Sequence, residues 1–314
     1  MMKKRLWSRW ILALAVVWPC MAAAHDRVRE KENFDFDWKF ILNADDRANA
    51  GMQVSEAGWQ DVQLPHDWSI SQNFDPKLSG SNGHLPGGIG WYRKTFRVDK
   101  KDKGRRIAVL FDGIYSRSDV YVNGQHLGFR PYGFCYQEYD LTPYLNYGAE
   151  NVLAVRVNNP LEHDSVARWY TGAGIYRHAW LVKTAEVHVA SYGTYVTTPV
   201  VTAERAEVRV RTSVANEAER TKTLSVRQQI TDGEGRTVVQ SGKQALQVAA
   251  GQTADTEHTL EIPRPQLWDT EHPYLYTLHT SVYDGRKLVD TYETVFGVRT
   301  CEFTSDRGFL LNGK

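Results

Sequence analysis

Apolar and polar residues alternate in short runs along this chain, and long segments with the 3.6-residue period of a helix are absent. Val, Ile, Tyr, Trp and Phe are frequent in these runs, and clusters of Gly, Asn, Asp and Pro separate them. Alternation with a period of two places side chains on opposite faces of a strand. The pattern therefore predicts an all-β protein.

Residues 25–185 contain the longer runs, separated by long connections. The predicted strands are Trp38–Leu42, Trp59–Leu64, Trp91–Val98, Arg106–Gly113, Ser118–Gly128, Tyr136–Thr142, Asn151–Asn159 and Tyr176–Lys183. Asn123-Gly124 predicts a two-residue hairpin turn inside the fifth run. Leu141–Leu145 predicts a short 3₁₀ turn. About eight strands with long loops are typical of a jelly-roll sandwich.

Residues 186–298 show shorter and more evenly spaced runs. Val208, Val210 and Thr212 alternate with Arg209 and Arg211, which predicts one buried and one exposed face. Roughly seven strands with a turn signal every 8–12 residues predict an immunoglobulin-like sandwich. A Cys…Trp…Cys pattern is missing, which excludes an antibody-type domain.

The last segment, residues 299–314, is predicted to belong to neither sandwich. The apolar run Phe309–Leu311 leads into Asn312-Gly313, a strong signal for a two-residue hairpin turn. A returning strand would have to follow, and an unpaired edge would expose backbone groups and large apolar side chains. We interpret this segment as the start of a third unit of which the rest is missing.

The first residues are predicted to be a targeting segment. Lys3–Arg5 form a positive region, Ile11–Trp18 form an apolar region too short to cross a bilayer, and Ala22–Ala24 provide small residues for cleavage. We expect residues 1–24 to be a signal peptide and the mature protein to be secreted or periplasmic, without an integral membrane segment. An uncleaved membrane anchor is the alternative interpretation.

Composition narrows the classes of partner. The net charge is +1 and no basic tract is present, which argues against nucleic acid. Aromatic residues make up 12% of the chain, a level suited to sugar binding, because pyranose faces stack on aromatic rings. Cys135 and Cys301 are predicted to be buried free thiols, and no metal-binding spacing of Cys and His appears.

Five motifs carry a family resemblance. Leu64–Ile70, Leu85–Phe96, Asp112–Gly128, Tyr139–Leu145 and Arg168–Leu181 resemble the sugar-binding domain of glycoside hydrolase family 2, and the β-galactosidase branch is the most similar. Pro265–Leu278 and Glu293–Arg299 resemble the immunoglobulin-like domain of that family. Arg307–Lys314 resembles the segment that leads into its catalytic (β/α)₈ barrel.

The resemblance implies an exo-acting β-glycosidase of which this chain is the amino-terminal part. Retaining enzymes use two carboxyl groups about 5–5.5 Å apart, and in this family both are glutamates of the barrel. The expectation is therefore a chain without catalytic residues, without metal ligands or cofactors, and inactive alone. Its expected ligand is a β-linked galactoside or a related glycan, and its oligomeric state is left open.

Asn216-Glu217 imitates the family's Asn-Glu acid/base motif. The neighbouring residues are Ala, Glu and Arg, which are typical of a solvated turn after a strand. An acid in such a turn lacks the burial that raises a general acid's pKa. We therefore interpret Glu217 as a turn residue.

Two Gly-rich segments supply the candidate substrate-binding residues. Asp67 and Trp68 open the long connection His66–Arg93, where the carboxylate could accept bonds from hydroxyls and the indole could stack on a ring. In the alternative interpretation Asp67 caps a turn and Trp68 lies in the core, and the sequence favours neither interpretation. Arg168 and Trp169 precede the bend Thr171–Gly174 and form the second candidate pair. A stand-alone carbohydrate-binding or adhesion protein is the alternative function.

Overall fold

The computed structural model describes residues 28–42, 45–160 and 169–314. This part of the chain consists of β-strands and short 3₁₀ turns, which confirms the all-β prediction. The first ten strands are β1 (Glu30–Asn33), β2 (Trp38–Leu42), β3 (Gln60–Val62), β4 (Gly88–Arg97), β5 (Arg106–Phe111), β6 (Ser118–Val122), β7 (Gln125–Arg130), β8 (Gln137–Asp140), β9 (Glu150–Asn159) and β10 (Ala179–Thr184). The 3₁₀ turns are Arg47–Ala50, Ser69–Ser71, Gly80–Asn82, Lys100–Asp102 and Thr142–Tyr144.

The remaining strands follow without a helix between them. They are β11 (Val187–Val201), β12 (Arg205–Asn216), β13 (Lys222–Thr231), β14 (Thr237–Gln240), β15 (Gln244–Val248), β16 (Gln252–Pro263), β17 (Tyr276–Asp284), β18 (Lys287–Phe296), β19 (Cys301–Thr304) and β20 (Gly308–Leu311). None of the described helical turns reaches the length and hydropathy of a bilayer-spanning helix.

The first ten strands form a jelly-roll sandwich of two antiparallel sheets. One sheet has the order β3-β2-β4-β9-β6-β7 and the other β1-β10-β5-β8. Their facing sides enclose a core in which Trp38, Trp68, Tyr92 and Phe111 are fully buried. The hairpin turn at Asn123-Gly124 and the 3₁₀ turn Thr142–Tyr144 confirm two local predictions.

One strand of this sandwich, β1, is not predicted by the alternation of apolar and polar residues. β1 has the sequence EKEN, without an apolar residue, and pairs only with β10 at the edge of its sheet. An edge strand with exposed side chains can form from backbone pairing alone, so no hydrophobic alternation marks it.

β11–β18 form the immunoglobulin-like sandwich. One sheet has the order β11-β12-β16, and the other contains β14-β13-β17-β18 with β15 also paired to β13. Val208, Val210 and Thr212 are buried while Arg209 and Arg211 are exposed, as the alternation predicts.

A polar layer divides the core of this second sandwich. Inward-facing Thr212 on β12, Gln228 on β13 and Thr280 on β17 lie between an apolar cluster around Val210 and Ile230 and another around Val214, Val226 and Val282. The three side chains are joined in a line: Thr280 Oγ1 donates to Gln228 Oε1 at 2.7 Å, and Gln228 Nε2 donates to Thr212 Oγ1 at 2.9 Å. Buried polar groups are tolerated when they pair in this way.

Charged side chains join the two sandwiches at their boundary. Arg106 of β5 donates to Glu217, just after β12, at 2.9 Å and pairs with Glu138 of β8 at 2.8 Å. Glu217 is still 42% exposed; partial burial raises its pKa and Arg106 counteracts this rise. The interpretation as a structural residue stands, but its surroundings are a domain boundary and not a free turn.

β19 and β20 form a separate two-stranded hairpin. After β20, Leu311 and Lys314 exchange backbone hydrogen bonds of 2.9 and 3.0 Å across Asn312-Gly313, whose φ values are +50° and +78°. These values confirm the predicted two-residue turn. The expected burial of the thiols is wrong: Cys301 is exposed at the start of β19, and Cys135 is only half-buried in the β7–β8 loop.

Candidate functional site

A cavity of about 380 Å³ opens among the loops of the first sandwich. Its walls come from the β3–β4 connection, the β5–β6 and β7–β8 loops, the end of β9 and the segment before β10. This volume falls in the range that small-ligand sites occupy, roughly 300–1,000 Å³. The loops rather than the sheets therefore create the site.

One wall of the cavity is aromatic. Phe134 lies 5.1 Å from Tyr115, 5.8 Å from Tyr132 and 6.5 Å from Trp169, measured between ring centroids. Trp169 is 60% exposed, and Tyr132 and Phe134 are also exposed. Tyr115 is held by reciprocal backbone bonds to Gly174 of 2.9 and 2.8 Å. A wall of this kind suits the apolar face of a pyranose ring.

Another part of the lining is polar. Asn82 accepts bonds from the backbone N–H and the hydroxyl of Thr171, and Asn159 Nδ2 donates to the carbonyl of Gly172 at 3.0 Å. Amide and hydroxyl groups are the partners that sugar hydroxyls require, since they both donate and accept. The polar wall therefore combines the β3–β4 connection, the end of β9 and the segment before β10.

Among the described residues that line the cavity, one carries a charge. Arg117 is the only charged side chain among the described lining residues, and neither Asp nor Glu occurs among them. Retaining hydrolysis of a glycoside needs two carboxyl groups about 5–5.5 Å apart. The described walls can thus bind and orient a sugar but contain no acid and nucleophile.

Asp67 ties the loops of the cavity together. Its Oδ1 accepts from the backbone N–H groups of Ser69 and Ala173 at 2.9 and 3.0 Å, and its Oδ2 accepts from Tyr170 Oη at 2.6 Å. Burial and the bond to this carboxylate raise the pKa of Tyr170. Three donors occupy the carboxylate, so the geometry favours a structural tie over direct contact with a sugar.

Trp68 lies in the core of the first sandwich. Only 1% of it is exposed, its ring stacks on Phe40 at 5.6 Å, and its Nε1 donates to the carbonyl of Gly87 at 3.3 Å. Both faces of the indole are covered by protein. Of the two interpretations left open for Trp68, the structure favours core packing.

Glycine is required where the segment before β10 crosses the Asp67 loop. A Cβ on Gly174, whose φ is +128°, would lie 2.3 Å from Tyr92 Oη and 2.5 Å from the carbonyl oxygen of His66. A Cβ on Gly172 would lie 2.7 Å from Asp67 Oδ2. The Gly-rich bend therefore permits a close crossing of two loops.

His66 and Tyr92 form a pair beside this crossing. His66 Nδ1 lies 2.8 Å from Tyr92 Oη, and Tyr92 is completely buried. Burial lowers the pKa of His66 and raises that of Tyr92 well above its usual value. Both groups are therefore neutral at pH 7, and the imidazole tautomer decides which of the two donates.

The predicted site residues are thus distributed over different environments. Trp169 lines the cavity, Asp67 lies behind its wall, and Trp68 lies in the core. Arg168 lies outside the described residues, as does the predicted signal peptide, residues 1–24. A substrate role for any of the four stays a prediction.

The sequence analysis missed the loop that supplies most of the aromatic wall. This loop has the sequence RPYGFCYQ (Arg130–Gln137), in which Pro131 and Gly133 interrupt an aromatic run. Aromatic residues in a loop between two strands are exposed more often than those inside a strand, which is the signal that could have pointed to Tyr132 and Phe134. In the described part of the chain, no group of His, Cys, Asp and Glu is arranged to hold a metal ion.

Comparison with known proteins gives the family. Residues 32–185 match the sequence model of a protein family named "glycosyl hydrolases family 2, sugar binding domain". Residues 187–299 match the sequence model of the family named "glycosyl hydrolases family 2". The chain is 42% identical over 303 residues to beta-galactosidase BoGH2A of Bacteroides ovatus and 34% identical over 313 residues to a beta-glucuronidase of Formosa agariphila. These alignments cover 94% and 91% of this chain, and 34% and 31% of the two relatives.

Solved structures agree with the sequence comparison. A glycosyl hydrolase family 2 member from Bacteroides cellulosilyticus superposes with a TM-score of 0.82 at 37% identity, over 90% of this chain and 37% of that one. The chain thus spans about a third of the length of the relatives it matches. It belongs to glycoside hydrolase family 2, of which it carries the sugar-binding jelly roll and the immunoglobulin-like domain.

Proposed function

We propose that this chain is the amino-terminal, substrate-shaping part of a retaining exo-β-galactosidase that acts in carbohydrate catabolism. The observation that carries the proposal is the 42% identity to a beta-galactosidase over 94% of the chain. The cavity with its aromatic and polar walls supports it, because these groups match the apolar face and the hydroxyls of a galactoside.

In this proposal the chain binds and orients, and the reacting groups come from a catalytic module. That module would supply the nucleophile and the acid/base, both of which the described cavity walls lack. The chain alone is therefore proposed to be inactive. The pattern of residues 1–24 supports a secreted or periplasmic location.

The test compares the chain alone with a chimera. The chain joined to the remainder of the B. ovatus beta-galactosidase should hydrolyse p-nitrophenyl β-D-galactopyranoside, whereas the chain alone should not. Turnover by the chain alone at enzyme-like rates would refute the missing-module proposal. A soluble chimera that hydrolyses the β-glucuronide but not the β-galactoside would refute the galactoside assignment.

A β-glucuronide is the second candidate substrate, and Arg117 favours it. The guanidinium of Arg117, with no acidic side chain among the described lining residues, would attract the carboxylate of a uronic acid. Arg117→Gln in the chimera separates the two: it should leave a galactoside's kcat/KM nearly unchanged and lower that of a glucuronide.

The exposed aromatic wall also favours the stand-alone carbohydrate-binding alternative. Three exposed rings on one face are what a self-sufficient binding module would present. If the chain alone binds galactose as tightly as the chimera does, the alternative is correct. Weak binding by the chain alone that becomes tighter in the chimera supports the part-of-an-enzyme proposal.

A further inference from the structure

Exposed aromatic rings continue from the cavity along the β7–β8 loop. Tyr132, Phe134 and Tyr136 are exposed, whereas Gly133 is buried and Cys135 is half-buried. The three exposed rings thus alternate with less exposed residues along the loop. The loop therefore carries a row of exposed rings from the cavity wall to the start of β8.

The row crosses the boundary onto the second sandwich. Tyr136 contacts Tyr192 of β11, with ring centroids 4.6 Å apart. Tyr192 is 56% exposed, so the contact leaves much of its ring accessible. We name the five residues Trp169, Tyr132, Phe134, Tyr136 and Tyr192 the aromatic strip.

Tyr192 is presented by a distorted backbone. It has a φ of +53° and lies in a register shift of the β11–β12 pair between Val189 and Thr194. Bulges of this kind redirect side chains, and left-handed backbone at a non-glycine residue is concentrated at functional sites. Its hydroxyl donates to Asp112 at 3.3 Å, and its N–H donates to Tyr292 Oη at 3.1 Å. The fold thus holds this ring at the surface in spite of unfavourable local geometry.

The chemistry of the aromatic strip suits a glycan. Contiguous exposed apolar surface marks an interaction site, and rings with hydroxyl edges stack on pyranose faces while hydrogen-bonding beside them. Exposed Arg177 approaches Tyr176 and Tyr192 closely enough to lower their pKa values against the effect of burial, and it adds a donor beside the strip. The strip begins at the cavity of the domain that the family comparison identifies as sugar-binding. This continuity favours a sugar chain over a protein partner.

We infer that the aromatic strip binds the extended part of a β-linked hexopyranose chain whose end occupies the cavity, so that the ligand runs across both sandwiches. Within the strip, ring contacts of 4.6–6.5 Å join Tyr136 to Tyr192 and join Phe134 to Tyr132 and Trp169, so the sugars of one chain would meet rings on both sandwiches. The inference rests on the proposed function, because that function supplies the sugar end in the cavity.

The test measures how affinity depends on chain length. Calorimetry of the purified chain would use methyl β-D-galactopyranoside and β-1,4-galacto-oligosaccharides of two to six units. We expect the hexasaccharide to bind about tenfold more tightly than the disaccharide. Tyr136→Ala and Tyr192→Ala should each abolish this gain and leave the affinity for the methyl galactoside unchanged.

Matched variants separate a sugar contact from a contact between domains. Tyr192→Phe keeps the ring and loses the bond to Asp112, so it should retain the gain with chain length. Tyr195→Ala, an exposed tyrosine outside the strip, is the control and should also retain it. Thermal unfolding of each variant verifies that it folds. If Tyr136→Ala lowers the melting temperature but leaves the gain intact, the rings only join the domains and the inference is wrong.

A second series distinguishes failure of the inference from failure of the proposed function. β-1,4-mannan and β-1,4-xylan hexasaccharides would be measured beside the galactan. In one outcome the affinity for mannan or xylan increases with chain length, this increase is lost in Tyr136→Ala, and the affinity for galactan does not increase. That result would support glycan binding by the aromatic strip and refute the galactoside assignment. If short and long chains of all three glycans bind equally tightly, the inference about the aromatic strip is wrong. The galactoside assignment is then decided by the hydrolysis measurements on the chimera.

Discussion

Arg29 forms a bidentate ion pair with Asp290, a fully buried carboxylate of the second sandwich. Arg29 Nε and Nη2 lie 3.0 and 2.8 Å from the two carboxylate oxygens, and Nη2 also donates to the carbonyl of Val189. Asp290 further accepts from the Val189 N–H at 2.7 Å. The residue that precedes the first strand thereby joins the two domains. Fork-shaped pairs of this kind are the strongest of the charge-assisted hydrogen bonds.

Arg29→Ala should destabilise the chain strongly at neutral pH. Burial raises the pKa of Asp290, and Arg29 counteracts this rise. Without Arg29 that pKa rises further. A carboxyl group with a raised folded-state pKa contributes stability below its unfolded-state pKa and loses it as the pH increases through the folded value. The loss in unfolding free energy should thus be about 3–5 kcal/mol near pH 7 and smaller near pH 4.5.

Urea unfolding at the two pH values measures this difference. Arg29→Lys is the matched control, because it keeps the charge and loses the fork geometry, and its loss should be smaller at pH 7. An equal loss for Arg29→Ala at both pH values would show that the ionised carboxylate of Asp290 is not the cause.

His188→Gln should make the unfolding free energy depend less steeply on pH between pH 7.5 and 4.5. Burial, with Arg106 and Arg29 nearby, lowers the pKa of His188 to about 3. Its imidazole is therefore neutral in the fold but takes up a proton below its usual pKa of 6.5 when the chain unfolds. Stability that is present above pH 6.5 is lost as the pH falls towards 3, by at most about 1.4 kcal/mol per pH unit. Unfolding in urea between pH 7.5 and 4.5 should show a shallower slope for His188→Gln.

The exposed His272 provides the control for this measurement. His272→Gln should retain the slope of the unchanged chain, because its side chain is largely in water. Identical slopes for the chain and for His188→Gln would contradict the prediction.

Trp68→Ala should lower the stability of the fold, whereas Trp169→Ala should lower the affinity for sugar. Removal of the buried indole of Trp68 leaves a core cavity and should cost about 3–5 kcal/mol of unfolding free energy. Trp169 is exposed, so its loss should change stability by no more than about 0.5 kcal/mol but weaken sugar binding. Thermal unfolding and calorimetry with a β-galactoside measure the two quantities. Unchanged sugar affinity for a folded Trp169→Ala would exclude that ring from the site.

Asp67→Ala should loosen the loops behind the cavity. It leaves the Ala173 N–H and the Tyr170 hydroxyl without their acceptor, at a cost of about 1–3 kcal/mol for the buried donor. Tyr170→Phe is the control that removes one of the three bonds only. Hydrogen exchange at Ala173 should increase in Asp67→Ala and change little in Tyr170→Phe. Unchanged exchange in both would contradict the role of Asp67 as a tie.

Glu217→Gln should affect the domain boundary and not catalysis. The side chain is 42% exposed, so solvent screening reduces the value of its pair with Arg106 to about 1 kcal/mol or less. In the active chimera the substitution should leave kcat for a β-galactoside unchanged, whereas loss of a general acid would lower it by about 10²–10⁴-fold. A loss of that size would make Glu217 catalytic after all.

The sequence predicts those elements that a local pattern of residues marks, such as alternating strands and tight turns. The predicted Trp38–Leu42 run and the Ser118–Gly128 hairpin follow from residues that alternate or from Asn-Gly, so local physics is sufficient for them. The candidate site depends instead on loops that meet only after folding. Asp67 reaches Ala173, which is 106 residues further along the chain, and no local pattern contains that contact.

For the same reason, local residue type cannot distinguish the two tryptophans. Trp68 and Trp169 both precede polar, Gly-rich segments, and only the packing of Phe40 and Gly87 against the first makes it a core residue. Exposure is a property of the assembled sandwich, so the sequence supplied candidates and the fold separated them.

The line of side chains Thr280–Gln228–Thr212 also fixes how the strands of the second sandwich align. Valine-rich strands can slide past one another by two residues with little loss of apolar contact. Such a shift here would move the Gln228 amide out of reach of both hydroxyls and into the valines on either side. Each partner lost inside the core costs about 1–3 kcal/mol, so three polar side chains select a single alignment among several that the hydrophobic pattern would accept.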